Sequence, residues 1–457
     1  MSGKLSRRHF MRRSTGTAMA AGVGLGTGVA RGVLGANDRI NVGFIGVGGM
    51  GTGTLGGFLK HDDVAVLAVA DVYEKHRERA KNRIGRPDVT MHNDFRELLD
   101  RKEIDAVVVS TPDHWHALAS IHAMLAGKDV YCEKPLTHRI AEGQAMTAAA
   151  ARHKRVTQMG TQIHAKDNYR RVVEIVRSGI LGKISMVRVW LSGKNPPQGL
   201  GKPADEAPPP GLDWDLWQGP AKRRPYNVNR CIFNFRFFWD YSNGKFGDFI
   251  CHYCDLVHWA MGIDAPVSAS ATGDRLIADD NAETPDVFTA IYRYPKPGPT
   301  SLGGPTGGLP PAETPDDGFV LSWQHSMASA TGLSAWGHYG VCFQGTNGSL
   351  MADYNRHEVF PDKKGFSKKD LKTIPESVPR SKGHHREFLD NIRSRQLCSC
   401  HFEYGHRLTS LMHLGNIALW TGKTLAWDPK VERIVNDADA NQHLTKEYHN
   451  NWGIPSV

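Results

Sequence analysis

The sequence predicts an α/β protein: an N-terminal doubly wound parallel sheet, joined to a C-terminal α+β domain built on a large, mostly antiparallel sheet. Three observations predict it. From Asn37 to about Gly160, short runs rich in Val and Ile alternate with helical segments, the rhythm of a parallel sheet covered on both faces. A glycine-rich turn, GVGGMG at Gly46–Gly51, falls between the first strand and the first helix. After Gly160 the rhythm gives way to longer loops and strand-like runs.

The elements follow in order. INVGFIGVG reads as a buried strand, residues 49–60 as a helix, VAVLAVAD as a second strand and YEKHRERAKNRI as a charged surface helix. IDAVVVSTP is a strand closed by Pro112, followed by a helix to Gly127, the short strand DVYC, a helix across residues 141–151 and the strand RVTQMG. DNYRRVVEIVRSG then reads as a helix and KISMVRVWLSG as a strand. VFTAIYRY, GFVLSWQHS and GVCFQGTNGSLMAD supply further strands. Residues 195–211 and 295–318 are rich in Pro and Gly and read as surface loops or lids. A closing amphipathic helix over residues 404–421 is expected to pack back on the body. The expected domains are residues 37–160 for the first and 161–457 for the second.

A chain of 457 residues, 40% hydrophobic and 23% charged, can bury a substantial core. Its formal charge of +9 suggests nucleic acid, but six of those nine excess charges come from Lys4, Arg7, Arg8, Arg12, Arg13 and Arg31. No dense basic stripe remains, which excludes a nucleic-acid binder. Residues 1–36 have the three parts of an export signal: paired arginines in SRRHFMR, the mild apolar run STGTAMAAGVGLGTGVA, and small residues ending VLGAND. The pair Arg7–Arg8 ahead of Phe10 and Met11 predicts the twin-arginine machinery, which carries folded proteins, and a periplasmic or otherwise exported product. Cleavage is expected after Ala36 or Ala30. The run is too short and weak for a stable membrane anchor. Seven cysteines at irregular spacing make no disulfide framework.

Three constellations carry chemistry. Gly46, Gly48 and Gly51 spell G-x-G-x-x-G, with Gly49 and Met50 inside the turn and Asp71 ending the next strand. This is the signature of a Rossmann dinucleotide site: glycines admit the pyrophosphate to a helix N-terminus, and the carboxylate accepts the ribose hydroxyls while repelling a 2′-phosphate. NAD is therefore expected over NADP. CEKPLTH places Lys134 just past a parallel strand, where such sheets bind ligands. In GKFGDFICHYCDLVHW, Asp248, His252 and Asp255 share a helical face, and an acid beside an imidazole fixes its tautomer. Cys251, Cys254 and His258 share a neighbouring face; no partner pair with ligand spacing accompanies them, and no metal is expected. In PDHWH, His116 either lines the cofactor cleft or caps the next helix.

These pieces, in this order, resemble the glucose–fructose oxidoreductase / inositol dehydrogenase (Gfo/Idh/MocA) family. The resemblance runs from about Ile40 to Pro429, through the glycine loop, Asp71, STP, EKP, GDFICH and LAWDP. LDWDLWQGPA followed by FNFRFFWDYSNGKFGD is similar to an exported bacterial branch. The resemblance implies a catalytic trio of Lys134, Asp248 and His252. His252 would take the alcohol proton as hydride leaves for nicotinamide, Lys134 would polarise the oxygen, and Asp248 would orient substrate and base. It implies that Thr111, Pro112, His116, Glu133, Lys134 and Pro135 line the cofactor. Members often carry Asn-x-x-Arg-like residues at the start of the second domain. GTQIHAKDNYRR departs from this, leaving Gln162 and Arg170, with Asp255, as substrate candidates. The implied substrate is a sugar or cyclitol, the expected assembly a homo-oligomer. An exported enzyme of this kind would fold around NAD inside the cell and keep it. The alternatives are an NAD-dependent lyase or glycosidase working through a transient keto-sugar, and a non-catalytic sugar-binding protein. Glycosidases of the family lack the EKP lysine.

Overall fold

The computed structural model describes residues 39–298, 304–328 and 336–457. The export signal expected in residues 1–36 lies outside the described residues. No helix among the described residues is long and apolar enough to cross a membrane.

Among the described residues, fifteen strands form two sheets. β1 (Ile40–Ile45), β2 (Val64–Ala70), β3 (Thr90–His92), β4 (Ala106–Val109), β5 (Asp129–Glu133) and β6 (Thr157–Gly160) make a six-stranded sheet, order β3-β2-β1-β4-β5-β6. Every pair in it is parallel. The order reverses between the neighbours β1 and β4, the switch point that opens a crevice at the strands' C-terminal ends. β7 (Ile184–Ser192), β8 (Ser268–Asp274), β9 (Val287–Tyr294), β10 (Phe319–Ser326), β11 (Tyr339–Gly345), β12 (Gly348–Ala352), β13 (His357–Pro361), β14 (Leu425–Asp428) and β15 (Arg433–Ile434) make the second sheet. Its order is β13-β12-β11-β7-β10-β9-β8-β14-β15, and only β7 and β10 pair in parallel. The sequence run GVCFQGTNGSLMAD is two strands, β11 and β12, turning at Thr346–Asn347.

The helices are α1 (Gly49–Phe58), α2 (Glu74–Ile84), α3 (Phe95–Leu99), α4 (Asp113–Leu125), α5 (Ile140–His153), α6 (Asp167–Arg177), α7 (Trp214–Gln218), α8 (Gly244–Met261), α9 (His384–Ser394) and α10 (Phe402–Thr421). The short α3 and α7, and α9 with its flanking loops, carry no long apolar period and escape a sequence reading.

α8 and α10 join the two sheets. α8 packs against β7, β11, α6 and α10. α10 touches β6 and α5 on one side and β8 on the other. The closing helix was expected to be amphipathic. Instead α10 is buried along nearly all of its length, because it has a sheet or helix on each side and little solvent face. One apolar core runs from Val107 and Val130 of the parallel sheet through Leu256 and Leu411 to Leu321 and Phe343 of the other. That packing fixes the outer face of α8 over the C-terminal edge of the parallel sheet.

Candidate active site

A cleft of about 480 Å³ opens over the ends of β1, β2, β4 and β5. The glycine loop forms its floor. Gly46 has φ +82°, and a Cβ there would stand 2.7 Å from the Ser110 carbonyl carbon. The loop can lie against the end of β4 only without a side chain. A Cβ on Gly51 would meet the Gly46 carbonyl oxygen at 2.1 Å, whereas one on Gly49 would have nothing within 4 Å. Gly51 thus serves close packing, while Gly49 faces the open cleft. No side chain caps α1 and no acid occupies its first turn, so its positive end remains available to an anion.

Asp71 is held by backbone. One carboxylate oxygen accepts the Val47 N–H at 2.8 Å, the other the Tyr73 N–H at 2.9 Å, and His76 Nδ1 lies 3.3 Å from both. Ser110 Oγ and Thr111 Oγ1 are buried in the wall without a hydrogen-bond partner among the described residues. Glycine floor, free helix end, anchored carboxylate and orphaned hydroxyls together fit a dinucleotide. Met50 and Pro112 line the same cleft. Glu133 also reaches it; one of its oxygens accepts Thr54 Oγ1 at 2.9 Å and Gln162 Nε2 at 3.3 Å.

Lys134 follows β5 and meets α8. Its Nζ donates to Asp248 Oδ1 at 2.7 Å and to the Asp248 carbonyl at 2.9 Å. Arg236 adds a second cation, its Nε 3.4 Å from the other Asp248 oxygen. Burial works to raise the Asp248 pKa, but Lys134 and Arg236 hold it far below the carboxylate range. Burial likewise opposes charge on Lys134, and Asp248 overrides it, raising the lysine. The expected orientation of His252 by Asp248 is not made. Asp248 turns to Lys134 and Arg236, because a carboxylate bonds cations more strongly than a neutral imidazole. His252 Nδ1 is buried without a partner among the described residues, and the Tyr354 ring lies 5.8 Å away. Burial, reinforced by Lys134, lowers the His252 pKa to about 3.

Residues 40–161 match a family model described as "Oxidoreductase family, NAD-binding Rossmann fold". Residues 166–293 and 343–454 match its companion, "Oxidoreductase family, C-terminal alpha/beta domain". The chain belongs to the Gfo/Idh/MocA oxidoreductase family. Among curated relatives, "Glycosyl hydrolase family 109 protein 1" of Shewanella sp. strain ANA-3 is 29% identical over 203 residues, 39% of this chain and 44% of the relative. A "Glycosyl hydrolase family 109 protein" of Shewanella baltica strain OS155 is 31% identical over 154 residues, 32% of this chain and 34% of that one. The chain thus spans less than half the length of these curated relatives. Among solved structures, the WlbA dehydrogenase from Bordetella pertussis, in complex with NADH and UDP-GlcNAcA, has a TM-score of 0.61 at 18% identity, covering 85% of this chain and 99% of that one. Levoglucosan dehydrogenase in complex with NADH has a TM-score of 0.55 at 18% identity, covering 84% and 98%. These structural likenesses are likenesses of fold.

Within this Gfo/Idh/MocA chain His116 is neither a cap nor a base. Its Nδ1 lies 2.7 Å from the Pro135 carbonyl oxygen and its Nε2 2.9 Å from that of Thr111. Carbonyls only accept, so both ring nitrogens donate and the ring is an imidazolium. Burial opposes that charge, but Cys132 and Asp113 favour it, and the pKa is pushed up to about 10. His116 therefore clamps the turn after β4 to the turn after β5.

Two substrate candidates lie away from the cleft. Asp255 is fully buried; it binds His164 Nδ1 at 2.9 Å and the Tyr404 hydroxyl at 2.5 Å. It is three residues past His252 and has turned out of the cleft into the α8–α10 contact. Arg170 is buried over the Trp259 ring and donates to the Pro379 carbonyl at 2.7 Å. Gln162 reaches the site only through Glu133. Cys251, Cys254 and His258 do not converge; His258 Nε2 is bonded to the Tyr294 hydroxyl at 3.0 Å. Among the described residues, the side chains that do approach one another at metal-ligand range are His164, Asp255 and Cys400, and Asp255 there is already bonded to His164 and Tyr404.

Sequence reasoning missed Arg236 and Asp113. Asp113 accepts Ser242 Oγ at 2.5 Å, and burial raises its pKa. An arginine inside the aromatic run FNFRFF was the available signal for Arg236.

Proposed function

We propose that this chain oxidises, or in reverse reduces, one carbon of a sugar or cyclitol bearing a hydroxyl, with NAD as the hydride partner. The observation that carries the reading is the Lys134–Asp248 pair lining the dinucleotide groove, with an unprotonated His252 one helical turn past Asp248 on the same face of α8. The glycine loop, Asp71, Ser110 and Thr111 would hold the cofactor, which when bound supplies a hydride acceptor at its nicotinamide ring. His252 takes the hydroxyl proton. The O–H pair becomes the second C–O bond, and the C–H pair leaves as hydride. Lys134 gives two N–H donors to Asp248 and keeps a third for the substrate oxygen. Asp248 fixes that ammonium and is a positioning residue. Two dehydrogenases of the same fold, WlbA in complex with NADH and UDP-GlcNAcA and levoglucosan dehydrogenase in complex with NADH, support the substrate class.

The glycosyl hydrolase family 109 relatives favour a second reading, in which a transient ketone acidifies a neighbouring C–H and a glycosidic bond is eliminated. Lys134, absent from glycosidases of the family, favours the first. The test is to release and identify the dinucleotide from pure protein, then mix the holoprotein with free sugars, cyclitols and glycosides. Bound NAD that is reduced by a free alcohol without bond cleavage supports the oxidoreductase. Cleavage of a glycoside with no net NADH supports the alternative. A protein that neither reduces NAD nor cleaves overturns both.

A further inference from the structure

The mouth of the cleft holds more positive charge than its visible partners require. Asp248 acts on three cations: Lys134 at 2.7 Å, which Glu133 and Asp113 also favour, Arg236 at 3.4 Å, and Lys245, one turn back along α8. Lys245, Asp248 and His252 sit at i, i+3 and i+7, so they present one face of the helix. Lys245 has no hydrogen bond or ion pair among the described residues. Its Nζ lies 5.5 Å from the Phe237 ring centre and 5.4 Å from that of Phe249. Aromatic faces attract an ammonium without using its N–H groups, so all three donors remain available. Lys245 also stands in the first turn of α8, the positive end of the helix dipole, where a cation is disfavoured. Arg236 is held from both sides by rings, 4.3 Å over Phe233 and 5.3 Å over Phe235, and spends one N–H group on the Phe233 carbonyl. It lines the cleft. Two half-buried cations lying over rings, with donors in reserve and Lys245 against the dipole of α8, call for an anion from outside the chain.

We propose that the substrate is an acidic sugar, and that Arg236 and Lys245 bind its carboxylate while Lys134 and His252 address the hydroxyl being oxidised. The fork of a guanidinium edge matches the two coplanar oxygens of a carboxylate, and the ammonium adds a second charge beside it. The inference rests on the oxidoreductase reading for its chemistry but is read separately, through binding.

The experiment titrates the purified holoprotein with hexuronates, with the parent neutral hexoses and with sulfated and phosphorylated hexoses, by calorimetry, and follows reduction of the bound nicotinamide in parallel. Hexuronates are expected to bind at least about tenfold tighter than the neutral sugars, the scale of one charge-assisted hydrogen bond. In Lys245→Met, and in Arg236→Gln, that preference should vanish, with the far-ultraviolet spectrum and bound dinucleotide retained. Lys245→Arg should restore it. Neutral sugars that bind equally well, a preference that survives both variants, or tighter binding of the sulfated or phosphorylated sugars would overturn the proposal. Uronate preference without reduction of the nicotinamide would leave the acidic ligand standing and count against the oxidoreductase reading instead.

Discussion

In the proposed reaction His252 would meet substrate as a neutral imidazole, because burial and Lys134 lower its pKa to about 3. The sign matters for the pH profile. A base works only unprotonated, and a depressed pKa keeps it so well below the usual value of 6.5. Single-turnover reduction of bound NAD should therefore hold its rate down to about pH 5. A fall centred near an ordinary histidine's pKa would mean that another group takes the proton. His252→Ala and Lys134→Ala should each slow this step by about 100-fold or more, the usual cost of a positioned proton-transfer group. His252→Ala should keep its NAD, since the glycine loop and Asp71 are elsewhere. Rapid mixing with an active sugar, plus dinucleotide content, measures both. Asp248→Asn should act through Lys134, weakening the ammonium's fixed position. Its effect should be largely absent when Lys134 is already Ala, and a double-mutant cycle reads that coupling.

At the scale of elements, the contact between α8 and α10 decides where the site faces. Asp255 on α8 is the buried hub: His164 donates to it from the start of the second domain and Tyr404 from α10. Removing the carboxylate leaves both partners unsatisfied in the core. Asp255→Ala should destabilise the protein by about 3–5 kcal/mol in urea unfolding, the range for breaking a buried charged pair. A substrate residue would instead show a raised KM with stability intact. The loop–helix contact of α1 gives a second test. Gly51→Ala brings a Cβ to 2.1 Å from the Gly46 carbonyl oxygen, so α1 must move. NAD retention should drop together with thermal stability, because the same backbone forms the helix end and the groove floor.

For the whole molecule, buried histidines set the acid limit. His114, His258 and His384 are pushed down to about 3 and His325 to about 4, in each case chiefly by burial. A depressed folded-state pKa means that the unfolded chain takes the proton first as pH falls below 6.5, so stability is lost on acidification. Each of the four contributes a loss of about 2 kcal/mol by pH 5, and the melting temperature should fall by about 5–10 °C between pH 7.5 and 5. His116 works oppositely, since its pKa is raised; a melting temperature that rises on acidification would mean that its term dominates. Export belongs to this scale too. We propose that Arg7 and Arg8 direct the folded, NAD-loaded protein outward. Replacing both with Lys should leave it in the cytoplasm on cell fractionation.

Local pattern alone was enough for five strands of the first sheet, because each is a short apolar run, but not for the edge strand β3, whose TMH carries no apolar run. Asp71 and Lys134 were legible for the same reason: each closes a strand, and a strand's end is where such a sheet binds. Helical spacing also put Asp248 and His252 on one face. It could not decide their partners. Asp248 chose Lys134, 114 positions away, and Asp255, on the spacing that matched His252, turned into the core when α10 closed over it. The charge of His116 depends on two carbonyls from different turns. Arg236 and Lys245 acquired meaning only when a loop of aromatic rings folded against α8. Periodicity fixes which way a side chain leaves its own element. The groups it meets come from other elements, and their placement is a property of packing that no single stretch of sequence contains.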